Sequence, residues 1–147
     1  MRPSRGFTLV ELAVVLFLLA ALAALAVPSF SRTIVSARLR ASASDVRSAL
    51  ARARLVAVSG GRVRSVVFDL ERGEYGMDNE AVRSRFPEPI RLGGVRLMGE
   101  AAEGGEARVR FFADGTADPA EISVESGDGA TLRVSVDPLT GLAEAGT

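Results

Sequence analysis

Hydrophobic and polar residues follow three successive patterns along this chain. From residue 7 to residue 27 the run is apolar, with only Thr8 and Glu11 clearly polar. As a helix these 21 residues would measure roughly 31 Å, which matches a bilayer's hydrocarbon core. Beyond Pro28 the pattern turns amphipathic. Val35, Leu39, Val46, Ala49, Leu50, Ala53 and Ala57 recur at spacings of three and four, while Arg38, Arg40, Arg47, Arg52 and Arg54 occupy other faces. Ser59-Gly60-Gly61 stops this helix, because glycine takes the left-handed conformation that closes helices.

After Gly61 the period changes to two. Residues 63–70 read as a strand, and Glu71-Arg72-Gly73-Glu74 turns the chain into a short strand around Tyr75 and Met77. Residues 78–89 are polar and end in Phe86-Pro87-Glu88-Pro89, the composition of an irregular loop. Residues 90–98 and 107–112 are further strands, and 122–125 joins 131–136 across Gly127-Asp128-Gly129. The pattern predicts an α+β fold: a long N-terminal helix, its first half transmembrane, packed on a small antiparallel β-sheet domain. No repeat of solenoid length is present, and only the Ala/Leu-rich anchor is low in complexity.

Composition narrows what the sheet domain can be. Fewer than 90 residues follow the helix, enough for one small core. The chain has no cysteine, which excludes a disulfide framework and a thiolate metal site. It also has no histidine, and all 18 basic residues are arginine. The usual general base, the common nucleophile pairs and serine–lysine chemistry are therefore missing, and no catalysis is expected. Paired acids such as Asp114 with Asp118, or Glu71 with Glu74, lie on turns and read as solvated. Asp114-Gly115-Thr116-Ala117-Asp118 lacks the ligand ladder of an EF-hand loop, so no metal is assigned. Gly60-Gly61 and Gly93-Gly94 do not fit a phosphate-binding fingerprint, and no cofactor is expected.

Charge is balanced overall but divided along the chain. Residues 29–59 carry arginines 32, 38, 40, 47, 52 and 54 against Asp45 alone, whereas acids outnumber arginines from residue 62 onward. An acidic head argues against nucleic-acid binding. The basic stalk suits anionic lipid headgroups, acidic heads of neighbours, or simply solvent. Arg2 and Arg5 on one side of the apolar run oppose Arg32, Arg38 and Arg40 on the other, so arginine counting leaves the orientation open.

Glu11 is the residue that requires an explanation. A carboxylate at mid-membrane costs about 2 to 3 kcal/mol, less near an interface, so it calls for a partner or a purpose. Its own helix has no cation to offer. Cleavage after Gly6 would create an ammonium on Phe7, which could meet the Glu11 of a neighbouring subunit.

The string Gly6-Phe7-Thr8-Leu9-Val10-Glu11, with a short basic leader before it and an uninterrupted apolar helix after it, resembles the class III signal of type IV pilins and type II secretion pseudopilins. The resemblance implies a type IV pilin-like fold. It also implies that prepilin peptidase cuts after Gly6 and N-methylates Phe7, that Glu11 registers subunits, and that Pro28 kinks the helix at the membrane exit. On this reading residues 1–6 are the leader, 7–27 the transmembrane helix, 28–59 its amphipathic continuation and 60–147 the periplasmic β-sheet domain. The protein would sit as a single pass in the bacterial inner membrane, with its leader cytoplasmic.

The second half resembles the GspH/FimT group of minor pseudopilins. The resemblance rests on Val109-Arg110-Phe111-Phe112-Ala113-Asp114-Gly115-Thr116-Ala117, Ile122-Ser123-Val124, Leu132-Arg133-Val134-Ser135-Val136 and Thr140-Gly141 in that order. Absent cysteine weighs toward the pseudopilin branch, and the calcium loop of the major pseudopilin is not recognisable. The resemblance implies a minor subunit of the periplasmic pseudopilus that promotes protein export. Its partners would be prepilin peptidase, the major and other minor pseudopilins, and the inner-membrane secretion platform. Two alternatives stay open: a FimT-like minor pilin of a type IV pilus, serving assembly or DNA uptake, and a membrane-anchored binding domain that never polymerises. Leu142-Ala143-Glu144 lacks the basic tail of some pilus relatives, which counts against DNA uptake.

Two blander readings compete at the N-terminus. A conventional secretory signal could be cut at Ala24-Leu25-Ala26, but the apolar core is too long and the helix pattern continues past it. An ordinary single-pass anchor explains the span and leaves the Gly6-Phe7 junction and Glu11 as accidents.

Overall fold

The computed structural model describes residues 8–146, apart from the side chains of 24–32. The chain divides into two compact units, Met1–Ile34 and Val35–Thr147. A single helix, α1, is assigned from Leu9 to Gly60, in line with the helix expected before Gly61.

In the first unit, every described side chain from Leu9 to Ala23 is exposed. Leu9 is 86 % and Phe17 73 % accessible. A helix apolar on all faces finds no stable partner in water. Among the described residues, no helix is long and apolar enough to cross a membrane. The expected 21-residue span draws on residues 24–27, whose side chains lie outside the description.

In the second unit, α1 buries a narrow stripe. Leu39, Ala43, Val46, Leu50, Ala53 and Ala57 are buried at spacings of four and three. The alanines allow the sheets to approach the helix closely, and Leu50 and Val46 fill the centre. The helix ends as expected at Gly61, which has φ 58°. The Arg62 N–H reaches back to the Ala57 oxygen at 3.2 Å and the Gly61 N–H to Val58 at 3.4 Å. This is the Schellman pattern that satisfies the last carbonyls of a helix.

Among the described residues nine strands follow: β1 (Arg64–Asp69), β2 (Glu74–Met77), β3 (Ser84–Arg85), β4 (Ile90–Leu97), β5 (Glu100–Ala101), β6 (Glu106–Phe111), β7 (Ala120–Ser126), β8 (Thr131–Val136) and β9 (Ala143–Gly146). They form two antiparallel sheets, ordered β3-β2-β1-β6 and β5-β4-β7-β8-β9. Period-two burial is clear in β6, where Ala107, Val109 and Phe111 point inward, and in β7, where Ala120, Ile122 and Val124 do so. These residues join Val66, Phe68, Val134 and Val136 in one core with the helix stripe. Tyr75 lies between Phe68 and Phe86, with ring centroids 5.9 and 5.1 Å apart.

Three details differ from the sequence reading. The strands divide between two sheets where one was expected. Residues 78–89 are not wholly irregular, because Ser84 and Arg85 pair with β2. The edge strands β5 and β9 went unread: Glu100–Ala101 and Ala143–Gly146 are short, small-residue segments without apolar alternation.

Candidate assembly site

The N-terminal junction was the principal sequence expectation. Gly6 and Phe7 lie outside the described residues. Pro28 falls within the assigned span of α1, and its side chain is outside the description. Glu11 is described. Its backbone N–H donates to Thr8 Oγ1 at 3.2 Å, and the Leu12 N–H donates to the Thr8 carbonyl at 3.1 Å. Thr8 is thus the N-cap of α1, and Thr-x-x-Glu is the spacing of a capping box. That signal was in the sequence and was missed. Glu11 also lies in the first helical turn, where a carboxylate is favoured by the helix dipole. No ion pair involves its exposed carboxylate among the described residues.

A second cluster gathers the carboxy-terminal motifs. After β6, the Phe112 N–H donates to Thr116 O at 2.9 Å and the Gly115 N–H to Phe112 O at 3.0 Å, closing a tight turn with Gly115 at φ 88°. Asp114 caps this turn by accepting the Thr116 N–H at 3.0 Å and the Thr116 hydroxyl at 2.7 Å. These bonds, the hydroxyl first, hold its carboxyl below the ordinary range. After β8, Asp137 does the same for Thr140, accepting its N–H at 2.8 Å and its hydroxyl at 3.0 Å. The backbone bond leads in lowering the Asp137 carboxyl.

Arg54 links the two turns to the helix. Its Nε donates to Thr140 O at 2.7 Å and lies 3.3 Å from Gly115 O. Gly141, at φ 61°, is pressed so closely that a Cβ there would overlap the Gly115 carbonyl oxygen. The Asp114-Gly115 and Thr140-Gly141 motifs are therefore two halves of one packed junction. Sequence periodicity placed Arg54 on a non-core face and could not show this role.

The acid pairs considered for catalysis are separated by their bonding. Asp118 is buried and accepts Arg110 Nε at 2.7 Å and Nη2 at 3.2 Å. Arg110 stays firmly protonated through that side-chain hydrogen bond. Glu74 pairs with Arg85 at 2.5 Å. Glu106 bridges Arg83 at 2.7 Å and Arg108 at 2.8 Å, and its carboxyl is lowered chiefly by the Arg83 bond. No group of three or more potential metal ligands occurs among the described residues.

Residues 1–27 match the prokaryotic N-terminal methylation motif. The structure is similar to that of the minor pseudopilin EpsH from the type 2 secretion system of Vibrio cholerae, with a TM-score of 0.59 at 13 % identity. The fold resembles that of a pseudopilin. The likeness covers 75 % of this chain and 97 % of EpsH. No curated protein sequence matches the chain.

Proposed function

We propose that this chain is a minor pseudopilin of a type II secretion system. One observation carries the reading: a prepilin-type methylation motif at residues 1–27 stands at the head of a chain whose fold resembles EpsH over nearly all of EpsH. Prepilin peptidase removes residues 1–6 and N-methylates Phe7. The apolar helix anchors the protein in the inner membrane with the sheet domain in the periplasm, then enters the pseudopilus beside the major and other minor pseudopilins and above the secretion platform.

Glu11 acts at that step. Thr8 and the helix dipole orient the first turn, and the exposed carboxylate meets the Phe7 amine of a neighbour where lipid strengthens their attraction. Pro28, which cannot donate to the helix ladder, lets the helix bend at the membrane exit. The role is structural and not catalytic, consistent with acids committed to turns and arginine pairs.

The test is the mature amino terminus, read by mass spectrometry on protein from its host membrane. N-methyl-Phe7 is expected. A terminus at Val27 would indicate conventional secretion and overturn the reading.

A further inference from the structure

Asp45 is the one acid of the stalk between residues 29 and 59, and its exposed carboxylate has no ion pair among the described residues. The head is arranged otherwise. Most of its arginines are held by its own acids, Arg83 and Arg108 on Glu106 and Arg110 on Asp118 among them. Arg47, close to Asp45 in sequence, lines a different groove with Leu142 and Ala143 and does not neutralise it.

Asp45 stands in an open cleft of about 530 Å³ between α1 and the β2–β3 side of the head, together with Ser48, Arg52, Tyr75, Ser84 and Arg85. Both arginines are already engaged, Arg52 by Glu80 at 3.3 Å and Arg85 by Glu74. The cleft is therefore left with one uncompensated negative charge. Burial first, and then that charge, push the Tyr75 hydroxyl above its ordinary range. Ser48 Oγ donates to the Ser44 carbonyl at 2.8 Å, which leaves its lone pairs free to accept. An adjoining cleft shares Arg52 and Ser84 and runs out past Ala81 to Val82, an apolar side chain 82 % exposed. A long basic side chain matches this layout, with its methylene stem on the apolar rim and its cationic head among the acceptors.

We propose that the cleft takes a lysine or arginine side chain of a different subunit, which pairs with Asp45. This contact rests on the reading of the chain as a minor pseudopilin. A second copy is the poorer donor, because most of its head arginines are spent on its own acids. A pair of this kind contributes to choice of partner and to register more than to raw affinity, so Asp45 selects which subunit sits against this flank of the stalk.

The test places a photo-crosslinking phenylalanine analogue at Val82 of the full-length protein in its host membrane, and maps the linked residue by mass spectrometry. A link to a different subunit, beside a lysine or arginine, is expected. Asp45→Asn should lower its yield at least about fivefold, and Asp45→Glu should keep it. Reversing the linked base to glutamate should lower the yield likewise, and adding Asp45→Lys should restore it. No link, links only to a second copy or to lipid, or a yield indifferent to Asp45→Asn would overturn the contact. The mature terminus, read on the same sample, separates the two hypotheses. N-methyl-Phe7 without an Asp45-dependent link defeats this contact alone, and a terminus at Val27 with that link defeats the pseudopilin reading alone.

Discussion

Arg54 Nε donates to the Thr140 carbonyl oxygen at 2.7 Å across 86 residues of sequence. The same nitrogen approaches Gly115 O at 3.3 Å, so one guanidinium closes the turn after β6 and the turn before β9 onto the stalk helix. Charge-assisted bonds to carbonyls are stronger than neutral ones, and removing the donor strands both acceptors. Arg54→Ala should therefore destabilise the sheet domain by about 1 to 3 kcal/mol. Arg54→Lys should recover only part of it, since an ammonium lacks the guanidinium's fork. Chemical denaturation of the two variants beside the parent checks this order.

Gly141 tests the same junction from the other side. Any Cβ there meets the Gly115 carbonyl oxygen as well as Arg54 Cδ and Nε at 3.0 Å, and the backbone is left-handed. Left-handed backbone alone costs about 1 to 2 kcal/mol for an alanine, and the overlap adds to it. Gly141→Ala should lower the melting temperature more than Gly129→Ala, which shares a positive φ but has open space around it. Equal losses would mean that the junction is not tightly packed.

The division between what sequence revealed and what it hid follows from the range of each signal. Helical and strand periodicities are local, so the stripe through Leu39, Val46 and Leu50 and the alternation in β6 to β8 were readable. The stop at Gly61 was also local. The pairing of Asp114-Gly115 with Thr140-Gly141 through Arg54 was not, because it joins segments far apart in the chain. The split into two sheets was likewise non-local. β5 and β9 were invisible for another reason: they are held by ladder bonds at an edge and carry little apolar side chain. At the candidate site, Glu11 stood out as a charge in an apolar run, while Thr8, the cap beside it, passed as an ordinary polar residue.

Four carboxylates should set the acid limit of the sheet domain. Asp69 accepts the Arg72 and Glu71 N–H groups at 2.9 and 3.1 Å, and the Arg72 bond leads in lowering it. Asp114, Asp137 and Glu106 are lowered too. A group whose folded value is depressed stabilises the native state above its unfolded value, about 3.9 for Asp and 4.3 for Glu. That stability fades as pH falls through the unfolded value toward the folded one. Melting temperature should accordingly hold steady near neutrality and drop below about pH 4.5. Asp137→Asn should lower stability at neutral pH and flatten the acid limb, as followed by circular dichroism.

Glu11 and Thr8 share one helical turn but should fail differently. Thr8→Ala removes the oxygen that accepts the Glu11 N–H at 3.2 Å, costing the helix about 1 kcal/mol at its start. It leaves the carboxylate in place. Glu11→Gln keeps the side chain's size and its ability to reach the cap, and removes only the charge. If the carboxylate serves a neighbour's amine, Glu11→Gln should abolish co-purification with the major subunit while Thr8→Ala reduces it mildly. If it serves the cap alone, the two variants should be equally mild. Crosslinking in the membrane with matched expression separates these outcomes, and incorporation of Glu11→Gln at the parent's level would sink the registration role.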